Sequence, residues 1–152
     1  MLRMVVVLGL TGCLWQGLCQ VSARSLYANA ADDFASGKSA LAAVEYADFV
    51  RSYPDDPHAP VAQYRIGNIH VSYLEYDLAV MDFDALLDRY PESKVAPDAL
   101  FMKGVALKNL KRLDAAADAF RMVIRNYPRS FRVSSCRALL QEMATASPPK
   151  SK

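Results

Sequence analysis

Residues 53–67 read YPDDPHAPVAQYRIG, and residues 90–104 read YPESKVAPDALFMKG. The two stretches align without a gap at an offset of 37 residues, and Tyr127-Pro128 follows Tyr90-Pro91 at the same interval. The offset also relates Pro60 to Pro97, Gly67 to Gly104, and Tyr27 to Tyr64 to Phe101. It relates Ala42 to Ala79 to Ala116, Tyr46 to Phe83 to Phe120, and Phe49 to Leu86 to Val123. So many matching columns mark an internal repeat, in which each unit buries its apolar face against the next.

Each unit reads as two helices. Residues 59–73 form one amphipathic stretch, opened by the turn chemistry of Tyr53-Pro54-Asp55-Asp56-Pro57. Residues 76–90 form the second, with Leu78, Phe83, Leu86 and Leu87 at helical spacing. Pro91 ends that helix, because it lacks an N–H and its ring collides with the preceding turn. Pro60 and Pro97 stand where a first helical turn begins and a missing N–H costs nothing. Small residues at Ala30, Gly67 and Gly104 let paired helices approach, as do Ala42, Ala79 and Ala116. The aromatics Tyr46, Phe83 and Phe120 fill the space between. Predicted helices span 25–36, 39–53, 59–73, 76–90, 96–110, 112–126 and 131–145. The last caps the open end of the repeats, and residues 146–152, with Pro148-Pro149, read as a disordered tail.

Residues 1–23 read as an export signal. Arg3 is followed by the unbroken apolar run Met4–Leu10, which falls short of the roughly 18 to 20 residues of a spanning helix. Two processing sites stay open. Val21-Ser22-Ala23 offers small residues to a signal peptidase, so the mature repeat domain covers 24–145. Leu10-Thr11-Gly12-Cys13 looks like a bacterial lipobox, with Cys13 as the lipidated residue. Both place the chain in the periplasm, soluble or anchored to the outer membrane. With lipidation at Cys13, Cys19 is retained and can pair with Cys136 in an oxidising compartment.

The chain has 152 residues, 53% hydrophobic and 22% charged, with a net charge of +2. This suits one soluble domain and excludes a disordered chain or a polytopic membrane protein. The near-zero charge gives no case for nucleic acid as a partner. It is, however, a cancellation. Residues 24–107 carry 7 cations against 13 anions, and residues 108–152 carry 10 against 3. The basic end contains Arg121, Arg125, Arg129 and Arg132, a candidate dock for an acidic partner or anionic lipid, or for head-to-tail self-association. The alternative is a solvated face.

Chemistry is sparse. His58 shares a turn with Asp55 and Asp56, a pattern more typical of a solvated loop than of a metal site. His70 occupies the column that Leu107 fills one repeat later, which points to helix packing. Cys136 falls 37 residues after Ala99, in a column of small residues, and reads as a buried hydrophobe. No phosphate-cradling glycine loop and no sequence-local nucleophile motif is present. The expectation is a non-enzymatic protein without cofactor or metal.

The spacing resembles the tetratricopeptide repeat, whose standard unit is about 34 residues. Counted from Gly67, the positions of Ala79, Phe83, Leu86 and Pro91 match its columns. The resemblance implies an all-α fold: antiparallel two-helix repeats stacked as a short right-handed solenoid, three repeats plus a C-terminal capping helix. The turn sequences quoted above look like the periplasmic, Tol-Pal-associated YbgF/CpoB family, and less closely like the BamD lipoproteins of outer-membrane protein assembly. The first resemblance implies envelope maintenance and cell division, and the second an assembly scaffold. The YbgF/CpoB family carries a trimerising coiled coil before its repeats. Here an export signal runs directly into the first repeat, so trimerisation is not implied.

In such repeats the first helix of each unit lines the inner face. The expected peptide groove comprises Tyr27, Tyr64, Arg65, Asn68, Phe101, Val105 and Lys108. Aromatic bodies, an amide and cations suit an extended or helical peptide from an envelope protein; the alternative is that Tyr64 and Phe101 only pack between helices.

Overall fold

The computed structural model describes residues 23–146. Among them the chain is helical throughout, with seven helices and no strand. They are α1 (23–35), α2 (Ser39–Ser52), α3 (Ala59–Ser72), α4 (Tyr76–Arg89), α5 (Ala96–Asn109), α6 (Leu113–Asn126) and α7 (Arg132–Ala146). Each lies within two residues of its predicted bounds. Residues 1–22 of the export signal, the Cys13 lipobox and most of the tail lie outside the described residues; Ala23, the last residue of the Val21-Ser22-Ala23 site, opens α1 and is buried. No described helix is long and apolar enough to cross a membrane.

The sequence period is also a backbone period. Tyr53, Tyr90 and Tyr127 end α2, α4 and α6 with φ of −132°, −129° and −128°. Each precedes a proline, which disfavours helical geometry at that residue. The next turn is built the same way three times. Asp56, Ser93 and Ser130 donate their N–H groups to the carbonyls of those tyrosines. Their side-chain oxygens then accept from the backbone of His58, Val95 and Arg132. Within each repeat, the tight turn between helices passes through a left-handed residue. Gly37, Leu74 and Lys111, spaced by 37 residues, have φ of 80°, 62° and 61°. Only the first is the glycine that this region favours.

The chain divides into two compact units, Met1–Ala62 and Gln63–Lys152, with the boundary inside α3. In the first, Tyr27 of α1 packs on Tyr46 and Phe49 of α2, with ring centroids 5.7 and 5.4 Å apart. Ala30, Ala42 and Tyr46 are wholly buried.

In the second unit α4 packs on α5, α5 on α6, and α6 on α7, which also reaches α5. Two wedges hold the helix pairs. A Cβ added at Gly67 would lie 2.5 Å from the Phe83 ring, and one added at Gly104 would lie 2.5 Å from the Phe120 ring. Glycine is therefore required by the close approach of the ring, not by backbone conformation. Both phenylalanines are fully buried. Truncating such a ring to alanine costs about 3–5 kcal/mol. Around Phe120 lie Leu100, Leu107, Ala116, Ala119, Val123, Cys136 and Met143. Cys136 therefore shares the fully buried small-residue column of Ala62 and Ala99. Its thiol pKa is raised by burial, with Arg132 opposing the shift.

The capping helix is fastened by charge. The Arg132 Nε lies 2.5 Å from Asp98 Oδ1 of α5. The same guanidinium sits over the Phe101 and Phe131 rings, 4.7 and 4.6 Å from their centroids. Lys108 Nζ of α5 meets Glu142 Oε1 of α7 at 2.7 Å.

Candidate interaction surface

The first-helix residues expected to form a groove fall into three situations. Tyr27 is half-buried in the first unit, with His58 completing its ring contacts at 4.9 Å. Tyr64 and Phe101, in the second unit, each lean on the wedge ring of their own repeat. Tyr64 is 6.0 Å from Phe83, and Phe101 is 5.8 Å from Phe120. Both stay half-exposed, although the Arg132 guanidinium also covers the Phe101 ring. One turn further along, Asn68 and Val105 are also half-exposed, and Val105 touches the Phe120 cluster. Arg65 is half-buried. Lys108 is engaged by Glu142. The structure therefore gathers Phe101, Val105 and Lys108 on the α5 surface bordered by α7, with Arg132 at one end.

The four arginines of the basic end separate. Arg121 and Arg125 are exposed on α6. The first is paired with Asp118 at 2.8 Å, and the second is 3.3 Å from the Asn126 side chain. Helix α6 stops at Asn126, so Arg129 belongs to the following turn. It is exposed and without an ionic partner among the described residues. Arg132 is drawn to Asp98 and two aromatic rings. Of these four arginines, two are exposed helical cations, one is a turn cation without an ionic partner among the described residues, and one is structural.

The two histidines each have their own acid. His58 Nδ1 is 2.9 Å from Asp56 Oδ1, and its backbone N–H donates to the same oxygen. His70 Nδ1 is 2.5 Å from Asp82 Oδ2, and its Nε2 is 3.9 Å from Glu75. Gln63 Nε2 donates to Asp82 Oδ1 and to its backbone carbonyl. Burial raises the Asp82 pKa, and His70 and Gln63 only partly offset this. His70 does pack between helices, but as half of a polar pin. A sequence signal for this exists. One repeat later, His70 becomes Leu107 and Asp82 becomes Ala119, so the two columns switch from polar to apolar together. Among the described residues, no group of three metal-ligating side chains comes together.

A shallow cleft of about 570 Å³ opens between the α4–α5 and α6–α7 turns. Lys94, Pro97, Asp98, Tyr127, Arg129 and Phe131 are among its walls. The Tyr127 hydroxyl donates to the Pro91 carbonyl at 3.1 Å, and its pKa is raised by burial and by Glu92. Phe131 is 71% exposed. Of this lining the sequence marked only Arg129, as part of the candidate basic patch, because the cleft's cations lie on two different turns.

The tetratricopeptide repeat family model matches residues 64–131. This covers α3 from Tyr64 onward through the turn before α7. The fold is similar to that of the Yersinia enterocolitica type III secretion translocator chaperone SycD, crystallised as an alternative dimer. That likeness has a TM-score of 0.66 at 18% identity, over 82% of this chain and 92% of that one. No curated protein sequence matches the chain. The Gly67–Phe83 and Gly104–Phe120 wedges, the three matched turns and these likenesses define a tetratricopeptide-type repeat fold.

Proposed function

We propose that this protein is a non-enzymatic interaction scaffold that presents its first-helix face to a peptide segment of a partner protein. One observation carries the reading. On the first helices the glycine columns are consumed by the wedge, while Tyr64 and Asn68, and Phe101 and Val105, stay half-exposed. Half-exposed aromatics beside an amide and cations suit peptide capture better than bare packing would require. The setting proposed is the periplasm, supported by the basic start and apolar run of residues 1–23. The process proposed is envelope integrity and cell division linked to Tol-Pal, on the resemblance of the Tyr-Pro turns to the YbgF/CpoB family.

The combined Tyr64→Ala, Arg65→Ala and Asn68→Ala variant tests the surface. Pull-down from envelope extract should lose the partner, while far-UV circular dichroism stays unchanged. Undiminished capture by the folded variant would remove the face from the account.

A second reading, a BamD-like lipoprotein scaffold in outer-membrane protein assembly, is favoured by Leu10-Thr11-Gly12-Cys13. It requires metabolic fatty-acid labelling of the wild type that Cys13→Ser abolishes.

A further inference from the structure

The cleft between the α4–α5 and α6–α7 turns separates into a repeated frame and an unrepeated lining. The frame recurs one repeat earlier: Pro97, Tyr127, Pro128 and Ser130 correspond to Pro60, Tyr90, Pro91 and Ser93. The lining does not recur. Arg129 stands where the earlier repeat has Glu92, Phe131 where it has Lys94, and Lys94 where it has Pro57. The repeat fold therefore does not need a cation at 129 or an aromatic at 131, since it builds the same turn with opposite chemistry.

The charges of the cleft do not cancel. Asp98 is its acidic wall, and Arg132 neutralises it. Lys94 and Arg129 are exposed and have no ionic partner among the described residues; Glu92, beside Tyr127 but not in the lining, offsets one of them, so the cleft keeps a net positive charge. The same lining holds Tyr127, two prolines and Phe131, a residue 71% exposed although its ring meets the Arg132 guanidinium. A volume of about 570 Å³ fits a short peptide segment better than a single ion. The described residues 108–146 carry 8 cations against 3 anions, a field that steers acidic partners toward this end.

We propose that this cleft is a second docking site, distinct from the first-helix face, and that it takes an extended acidic segment of a partner protein carrying an aromatic side chain. The aromatic ring enters among Pro97, Tyr127, Pro128 and Phe131, and flanking carboxylates meet Lys94 and Arg129. The proposal does not depend on the partner of the first-helix face.

The probe is a fluorescein-labelled peptide, Glu-Asp-Glu-Phe-Pro-Asp-Glu, titrated with the full chain by fluorescence anisotropy. Its control replaces every acid with lysine. The acidic peptide should bind, the lysine peptide should not, and affinity should fall between about 50 and about 300 mM salt. The Lys94→Glu, Arg129→Glu double variant should weaken binding on the order of tenfold or more. Phe131→Ala should weaken it by roughly threefold to tenfold. All three side chains are exposed, so circular dichroism should show intact folding. The Tyr64→Ala, Arg65→Ala, Asn68→Ala variant should bind the probe normally, which separates this site from the first-helix face. No binding, equal binding of the lysine peptide, or unchanged binding after charge reversal would each overturn the proposal. Self-association that charge reversal abolishes, without peptide capture, would assign the cleft to a second copy of the chain and overturn the proposed occupant.

Discussion

The α3–α4 pair and the α5–α6 pair share one wedge and differ in the seam beside it. In both, a phenylalanine from the second helix closes on a glycine of the first, with the same 2.5 Å to a notional Cβ. Beside the wedge, α3 and α4 are pinned by His70, Asp82 and Gln63, whereas the matching columns of α5 and α6 hold Leu107, Ala119 and Leu100. The wedge is therefore what the fold requires, and the seam is where a repeat can vary. An apolar seam is held by burial alone. A polar seam demands that each part-buried group keep its partner, because a lost partner leaves a poorly solvated charge.

The largest expected effect tests the shared part. Phe83→Ala and Phe120→Ala should each destabilise by about 3–5 kcal/mol in urea denaturation. A loss confined to one of them would break the equivalence of the two pairs. Filling the glycines is next. Gly67→Ala and Gly104→Ala should each cost about 1–3 kcal/mol, since the buried ring must move aside.

The differing part is tested by exchange. His70→Ala alone should cost about 1–3 kcal/mol by orphaning Asp82. Installing the residues of the other seam, His70→Leu with Asp82→Ala, should cost less than that single change and can be stabilising. A double variant worse than the single one would show that the polar pin is needed for its own geometry.

Proton linkage gives a finer test. The folded pKa of Asp82 is raised, so the native state holds that proton more tightly than the unfolded chain. The resulting stability is fully present below the ordinary Asp value of 3.8 and is lost as pH rises through the raised value. Relative to Asp82→Asn, the wild type should therefore gain stability as pH falls from neutral toward that value. Thermal melts of both proteins across this range check the sign, and a relative loss on acidification would contradict it.

The smallest effect concerns the turn within each repeat. Leu74 and Lys111 adopt the left-handed conformation that Gly37 adopts at the matching position. Leu74→Gly or Lys111→Gly should stabilise by about 1 kcal/mol or less, as relief of the side-chain strain exceeds the added chain entropy.

The helices were legible because their stops are covalent facts. A proline after each tyrosine ends the second helices, and the 37-residue offset carries one unit onto the next. The wedge was legible as paired small and aromatic columns. The pin was not, because a column-by-column reading assigns His70 the role of Leu107 and does not ask what Asp82 does at the same time. Arg132 read as part of a basic run, but the run crosses the end of α6, and the docking of α7 on α5 brings Asp98 within reach. Of the cleft only Arg129 was legible, as a member of the basic patch, for a related reason. Lys94 and Arg129 are 35 positions apart and meet only when successive inter-repeat turns are side by side.

The central claim is that the first-helix face receives a partner. It is tested most directly by photo-crosslinking in envelope extract, with a photoreactive residue placed singly at Asn68, at Val105 and, as a control, at exposed Ala85 of α4. The account predicts the same crosslinked protein from positions 68 and 105 and none from position 85. Crosslinks equally strong from position 85, or none from 68 and 105, would contradict it.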